Sequence, residues 1–217
     1  VGVLMGLFFA LAVGFVNGWL LIKTKLPSFI VTLASFLMLT GLNLGITRLI
    51  GGGVSSPEIS NMDGFESAKA VFASDIPIFG INVKITVIYW IVLVAVATWI
   101  LMRTKVGNWI FAVGGDENAA RAVGVPVTAT KIGLFIGGGF CAWVLGMHNL
   151  FAFNVVQSGE GDGNEFLYII AAVIGGCLLT GGYGSANGGA ICALIFGMAN
   201  KGIVYAQWNP DWFKFFL

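Results

Sequence analysis

The stretch Phe166-Leu167-Tyr168-Ile169-Ile170-Ala171-Ala172-Val173-Ile174-Gly175-Gly176-Cys177-Leu178-Leu179-Thr180-Gly181-Gly182-Tyr183-Gly184-Ser185-Ala186-Asn187-Gly188-Gly189-Ala190-Ile191-Cys192-Ala193-Leu194-Ile195-Phe196-Gly197-Met198-Ala199-Asn200 contains no Asp, Glu, Lys or Arg. A helix crossing a bilayer needs roughly 20 apolar residues, so at 1.5 Å rise per residue this segment is too long for one upright span. Seven glycines interrupt its middle, from Gly175 and Gly176 to Gly188 and Gly189. Glycine weakens a soluble helix but is common where membrane helices break or pack closely. The segment therefore reads as two short helical halves, 166–180 and 188–205. They either cross fully or dip in and return, and both choices leave the chain on the same side.

The rest of the 217-residue chain repeats the signal. Uncharged or nearly uncharged runs cover 1–22, 28–47, 85–102 and 132–153. Apolar residues make up 58% and charged residues 10%, with a mean hydropathy of +0.93. Soluble domains carry about 25% charged residues, so the water-soluble class is excluded. A net charge of +1 supplies no field that would recruit nucleic acid. Cys141, Cys177 and Cys192 lie in apolar runs without CxxC spacing, which argues against a disulfide framework and a metal site. The fold class expected is an all-α, polytopic helical integral membrane protein with a glycine-broken membrane segment, forming a single transmembrane domain over 1–217. The chain opens inside one apolar run and stops as another begins, so it reads as a fragment lacking spans at both ends.

Orientation follows from Lys and Arg in the connecting loops. Loop 103–131 holds Arg103, Lys105, Arg121 and Lys131, and the turn after the first span holds Lys23 and Lys25. Loop 154–165 has Glu160, Asp162 and Glu165 without a basic residue. Placing 103–131 in the cytoplasm puts Lys23 and Lys25 there too, and sends loop 48–84 and the acidic loop outside. Trp19 and Trp109 then fall near the inner boundary, and Trp208 and Trp212 near the outer one. Gly2/Gly6, Gly14/Gly18, Gly41/Gly45 and Gly133/Gly137 are small-xxx-small pairs that allow close helix contact.

Absences narrow the chemistry. No Gly-Lys pair exists, so the chain has no phosphate-cradling GxxxxGK[ST] loop and cannot itself be a nucleotide-driven motor. No Asp or Glu lies at membrane depth, which argues against a proton relay. His148 and Lys201 are the ionisable residues within the spans. His148 reads as an imidazole bonded to a neighbouring helix, or as pathway lining. Lys201 reads as a snorkelling side chain, or again as lining.

Within loop 103–131, Gly115 or Asp116 can cap a short helix, and Asp116 and Glu117 suit its positive N-terminal end. Alanines continue it, Gly124 is a natural stop, and Pro126 forbids continuation. Ala119, Ala120 and Val123 give it a small, slightly apolar face able to enter a groove on another protein. A helix of about two turns is too short to persist alone in water.

Ala112-Val113-Gly114-Gly115-Asp116-Glu117-Asn118-Ala119-Ala120-Arg121 resembles the EAA-type coupling segment of ABC-importer permeases, in the form found in monosaccharide (ribose/xylose-type) permeases. Lys25-Leu26-Pro27-Ser28-Phe29-Ile30-Val31-Thr32-Leu33-Ala34 upstream, and 171–176 with 180–185 downstream, are similar in the same order. The resemblance implies an all-helical permease of about ten spans in the bacterial inner membrane, with no cofactor and no catalytic residue. It implies a second permease copy, a cytoplasmic ABC ATPase subunit on the loop, and a periplasmic sugar-binding protein. Gly115, Asp116, Glu117, Ala119, Ala120, Arg121, Val123 and Gly124 would form the ATPase-coupling segment, and Ala120→Arg would block docking. Asp116 stands where Asn is frequent in the family, and the loop Gly51–Val83 is longer than in ribose permeases. Sugar would pass between uncharged polar and aromatic side chains, with Asn17, Asn43, Asn149, Phe151 and Asn200 as candidates for which packing is an equal explanation. An ATPase-independent carrier or channel for small polar solutes is the alternative, and a non-transporting scaffold ranks last.

Overall fold

The computed structural model describes residues 1–60, 64–78 and 81–209. Among them are the helices α1 (Gly2–Thr24), α2 (Ser28–Gly51), α3 (Phe65–Phe72), α4 (Ile85–Arg103), α5 (Lys105–Gly115), α6 (Glu117–Ala122), α7 (Val127–Phe153), α8 (Glu165–Ile174) and α9 (Ala186–Tyr205), with one two-stranded antiparallel ribbon, β1 (Asp75–Ile78) and β2 (Ile81–Lys84). Helices α1, α2, α4, α7 and α9 are long and apolar enough to cross a membrane. Their large side chains point outward: Phe8, Leu37, Met38 and Trp99 are each more than half exposed. Such apolar surface is what lipid, rather than water, favours. The chain is an all-α polytopic membrane protein.

It divides into two compact units, one of Val1–Ile91 with Pro126–Glu160, the other of Val92–Val125 with Gly161 onward. In the first, α1 ends where Lys25 turns left-handed (φ 55°) and donates its N–H to the Leu21 carbonyl, and Pro27 then precedes α2. The α1–α7 seam is built on missing side chains. A methyl group on Gly14 would lie 2.5 Å from the Phe135 carbonyl oxygen, and one on Gly18 would lie 2.9 Å from the Ile132 Cα. Gly139 of α7 answers from the other side, against the Ala10 carbonyl. Gly41, Gly45, Gly133 and Gly137 meet nothing within 4 Å, so Gly14/Gly18 is the expected pair that makes a full seam within this chain.

Segment 48–84, expected as a loop, holds α3, β1 and β2 among its described residues. α3 lies on α7 through Phe65, Phe72 and Phe151. The Phe72 and Phe151 rings stack with centroids 5.8 Å apart, and Phe72 meets Trp143 edge-on at 5.5 Å. In the ribbon Asp75 stands opposite Lys84. A second strip forms where Ser56 N–H donates to Val156 O at 2.9 Å and Ile59 N–H donates to Asn154 O at 3.2 Å.

In the second unit, α8 stops at Ile174, short of the expected 180. Gly175 lies against the first turn of α9: a methyl on it would fall 2.5 Å from the Gly188 carbonyl carbon, and Gly176 adopts φ 95°. Loop 103–131 is largely helical, because α5 occupies its first third and α7 begins at Val127 rather than near 132. Trp212 lies outside the described residues.

Candidate functional site

The junction from α4 through α5 to α6 is made of local chemistry. Thr104 Oγ1 donates to Ile100 O at 2.6 Å and accepts the Gly107 N–H at 3.3 Å, so one hydroxyl closes α4 and caps α5. The turn between them is so tight that Gly107 approaches the Ile100 and Leu101 carbonyls, where any side chain would clash. Asp116 then caps α6, its Oδ1 accepting from Asn118 N at 2.8 Å and Ala119 N at 3.0 Å. These satisfy two donors that a helix start leaves unpaired. Glu117 and Arg121 pair at 3.0 Å, both side chains well exposed, which contributes a few tenths of a kcal/mol at most. Gly124 (φ 83°) ends the helix, donating its N–H to Arg121 O, and Val125 N–H donates to Ala120 O at 3.0 Å.

The apolar face expected over Ala119, Ala120 and Val123 is divided. Val123 is 79% exposed and Ala119 is exposed, but Ala120 is 3% exposed. Ala120 therefore seats α6 on its own chain, and the surface offered outward consists of Ala119, Arg121, Ala122 and Val123. On a six-residue helix only one face can be buried, and Ala120, whose carbonyl accepts the Val125 N–H beyond the Gly124 turn, takes it.

The α8–α9 turn belongs to the same unit and reaches this junction. Gly114 lies against Gly182, where a methyl on Gly114 would sit 2.6 Å from the Gly182 nitrogen. Thr98 Oγ1 of α4 donates to Asn187 Oδ1 of α9 at 2.7 Å. Neither link was visible in the residue pattern.

The pathway candidates divide as well. Asn43 Nδ2 donates to Ser158 O at 2.9 Å, and Asn149 Nδ2 donates to Glu160 Oε1 at 3.0 Å. These two are drawn to one polar loop. Phe151 is buried under α3 and lines an apolar cavity of about 580 Å³ with Phe65, Phe72, Met147 and Leu150. It packs α3 against α7. Asn17 is half-buried between Gly14 and Gly18, and Asn200 is exposed on α9. His148 joins three elements of its unit: Nδ1 lies 2.9 Å from Phe72 O and 2.8 Å from Thr86 Oγ1. Phe72 O can only accept, so Nδ1 bears the proton in that bond. Lys201 is exposed.

The family model described as branched-chain amino acid transport system / permease component matches residues 1–217. The chain belongs to that family. Among curated proteins, this permease-family chain is similar to the ribose import permease protein RbsC of Escherichia coli (strain K12), with 32% identity over 205 residues, 94% of this chain and 60% of that one. It is also similar to the galactose/methyl galactoside import permease protein MglC of the same strain (29% identity, 92% and 58%). The fructose import permease protein FrcC of Rhizobium meliloti gives 30% identity over 217 residues, 97% and 57%. The chain thus spans about three-fifths of the length of these relatives. No solved structure matches it.

Proposed function

We propose that this chain is the greater part of the membrane-spanning permease subunit of an ATP-driven importer, carrying a monosaccharide or similar small polyol across the bacterial inner membrane. The observation that carries the reading is α6. It is a six-residue helix with a fully formed Asp116 cap and a Gly124 stop, and it presents Ala119, Ala122 and Val123 to the surroundings. So short a helix does not persist in water by itself, yet here every terminal device is in place. That is the form a docking knob takes when a partner supplies the remaining stabilisation.

In this reading a separate cytoplasmic ABC ATPase receives α6, a periplasmic sugar-binding protein delivers the solute, and a second permease copy completes the pathway. The permease performs no hydrolysis. ATP binding draws the ATPases together, α6 moves with them, and the assembly exchanges one open face for the other. This is coupling between two sites through a bistable element. The basic residues of 103–131 support a cytoplasmic position for α6.

A neutral polar solute is favoured over an amino acid. Helices α1, α2, α4, α7 and α9 contain no carboxylate, so a substrate ammonium group would find no counter-ion in them. The curated relatives named above bear the names of ribose, galactose and methyl galactoside, and fructose. The test is co-purification: the detergent-solubilised permease, expressed together with an ABC ATPase subunit of the same organism's sugar importers, brings that subunit down. A permease that moves solute with no ATPase bound would establish the facilitative alternative instead.

A further inference from the structure

We infer that motion of the coupling segment reaches the membrane through the glycine turn between α8 and α9, with Gly114, Gly182 and Thr98 as positioning residues. The inference rests on the reading of α6 as the ATPase-docking element.

Gly114 lies two residues before the Asp116 cap, at the end of α5, so it moves with α6. Its neighbour across the contact is backbone. A methyl on Gly114 would lie 2.6 Å from Gly182 N, and one on Gly182 would lie 3.0 Å from Gly115 Cα. A side-chain contact can yield by changing rotamer, but main chain against main chain cannot, so a displacement passes across it undiminished. The receiving turn is stiff. Leu178 N–H donates to Tyr183 O at 3.1 Å, Gly181 N–H donates to Leu178 O at 3.0 Å, and Ser185 Oγ caps α9 by accepting Gly188 N–H at 3.2 Å. Gly181 and Gly182 hold φ values of 86° and 80°, which glycine adopts without strain.

A second attachment is independent of the first. The Thr98–Asn187 bond of 2.7 Å ties the first turn of α9 to α4, which leads through Thr104 into α5. The turn is therefore held at two points by elements contiguous with α6. The membrane hairpin is clamped to the coupling segment sideways, through space, as well as along the chain.

The test uses the full-length permease with its ATPase in proteoliposomes, in a background whose native cysteines are replaced. Tyr183, 66% exposed at the turn, is changed to Cys and its maleimide labelling rate is read with and without ATP–vanadate trapping. The parent is expected to show about a fivefold rate change, the lower end of ordinary site-to-site coupling. Gly114→Ala is expected to abolish that change while the ATPase still co-purifies. Gly197→Ala on α9, whose methyl would meet nothing within 4 Å, is expected to retain it. Thr98→Val adds no bulk and is expected to halve it, which decides the matter if Gly114→Ala does not fold. An undiminished change in both Gly114→Ala and Thr98→Val overturns the inference, as does loss of ATPase binding in a folded Gly114→Ala. A parent that fails to retain the ATPase overturns the docking reading and the inference together. A parent that retains the ATPase but shows no rate change overturns the inference alone.

Discussion

Ala120 and Val123 stand one turn apart at the same short helix, and Ala120 is 3% exposed while Val123 is 79% exposed. The first holds α6 to its own chain and the second faces away from it. Substitutions at the two positions therefore report different things.

Val123→Arg is expected to weaken ATPase co-purification by about tenfold or more, the effect of one interface hot spot, with insertion unchanged. Ala120→Arg is expected to damage α6 itself, since overpacking a closed site costs about 1–3 kcal/mol. Hydrogen exchange over 117–122 checks this. Faster exchange in Ala120→Arg and unchanged exchange in Val123→Arg is the expected pattern.

Asp116→Ala removes an acceptor that serves two backbone donors. The loss is about 1 kcal/mol, so the Asn118 and Ala119 amides are expected to exchange roughly five times faster. Asp116→Asn retains an acceptor oxygen and is expected to preserve both the slow exchange and solute uptake.

Gly14→Leu would drive a side chain into the Phe135 carbonyl and part α1 from α7. A loss of about 1–3 kcal/mol is expected, read as a lower unfolding midpoint in detergent. Gly133→Ala faces open space within this chain and is expected to leave that midpoint unchanged. A fall for Gly133→Ala as large as for Gly14→Leu would remove the seam as the explanation.

Phe151→Ala takes out the ring stacked on Phe72 and touching Phe65. Buried Phe→Ala changes cost about 3–5 kcal/mol, so α3 is expected to detach and segment 48–84 to become a site of rapid proteolysis. The affinity of the transporter for its solute is expected to stay within about twofold of the parent, since the ring's aromatic contacts are with Phe65 and Phe72. A solute-specific loss with proteolysis unchanged would return Phe151 to the pathway.

The long helices were legible because each holds a long uncharged apolar run that begins or ends at Lys, Arg or Pro, and the bilayer demands that pattern irrespective of neighbours. The α6 caps were legible for a similar reason, since Asp116 and Gly124 act within a few residues of themselves. α5 was not, because its start depends on Thr104 serving two helices at once and on Gly107 fitting beneath two carbonyls. The end of α8 needed knowledge of Gly188, which is distant in sequence. Asn43 and Asn149 were read from polarity alone, and polarity does not reveal that Ser158 O and Glu160 are waiting for them. Ala120 could not be told from Ala119, because six residues are too few to show which face turns inward.

The seam between Gly14 and Phe135 also sets a schedule for biosynthesis. At ribosomal rates of 5–20 residues per second, α1 emerges roughly 6–24 s before the stretch of α7 that covers it, some 120 residues later. Until α7 arrives, Gly14 and Gly18 lack the main-chain partners that close this seam. Shortening the connection from α2 to α6 would shorten that interval.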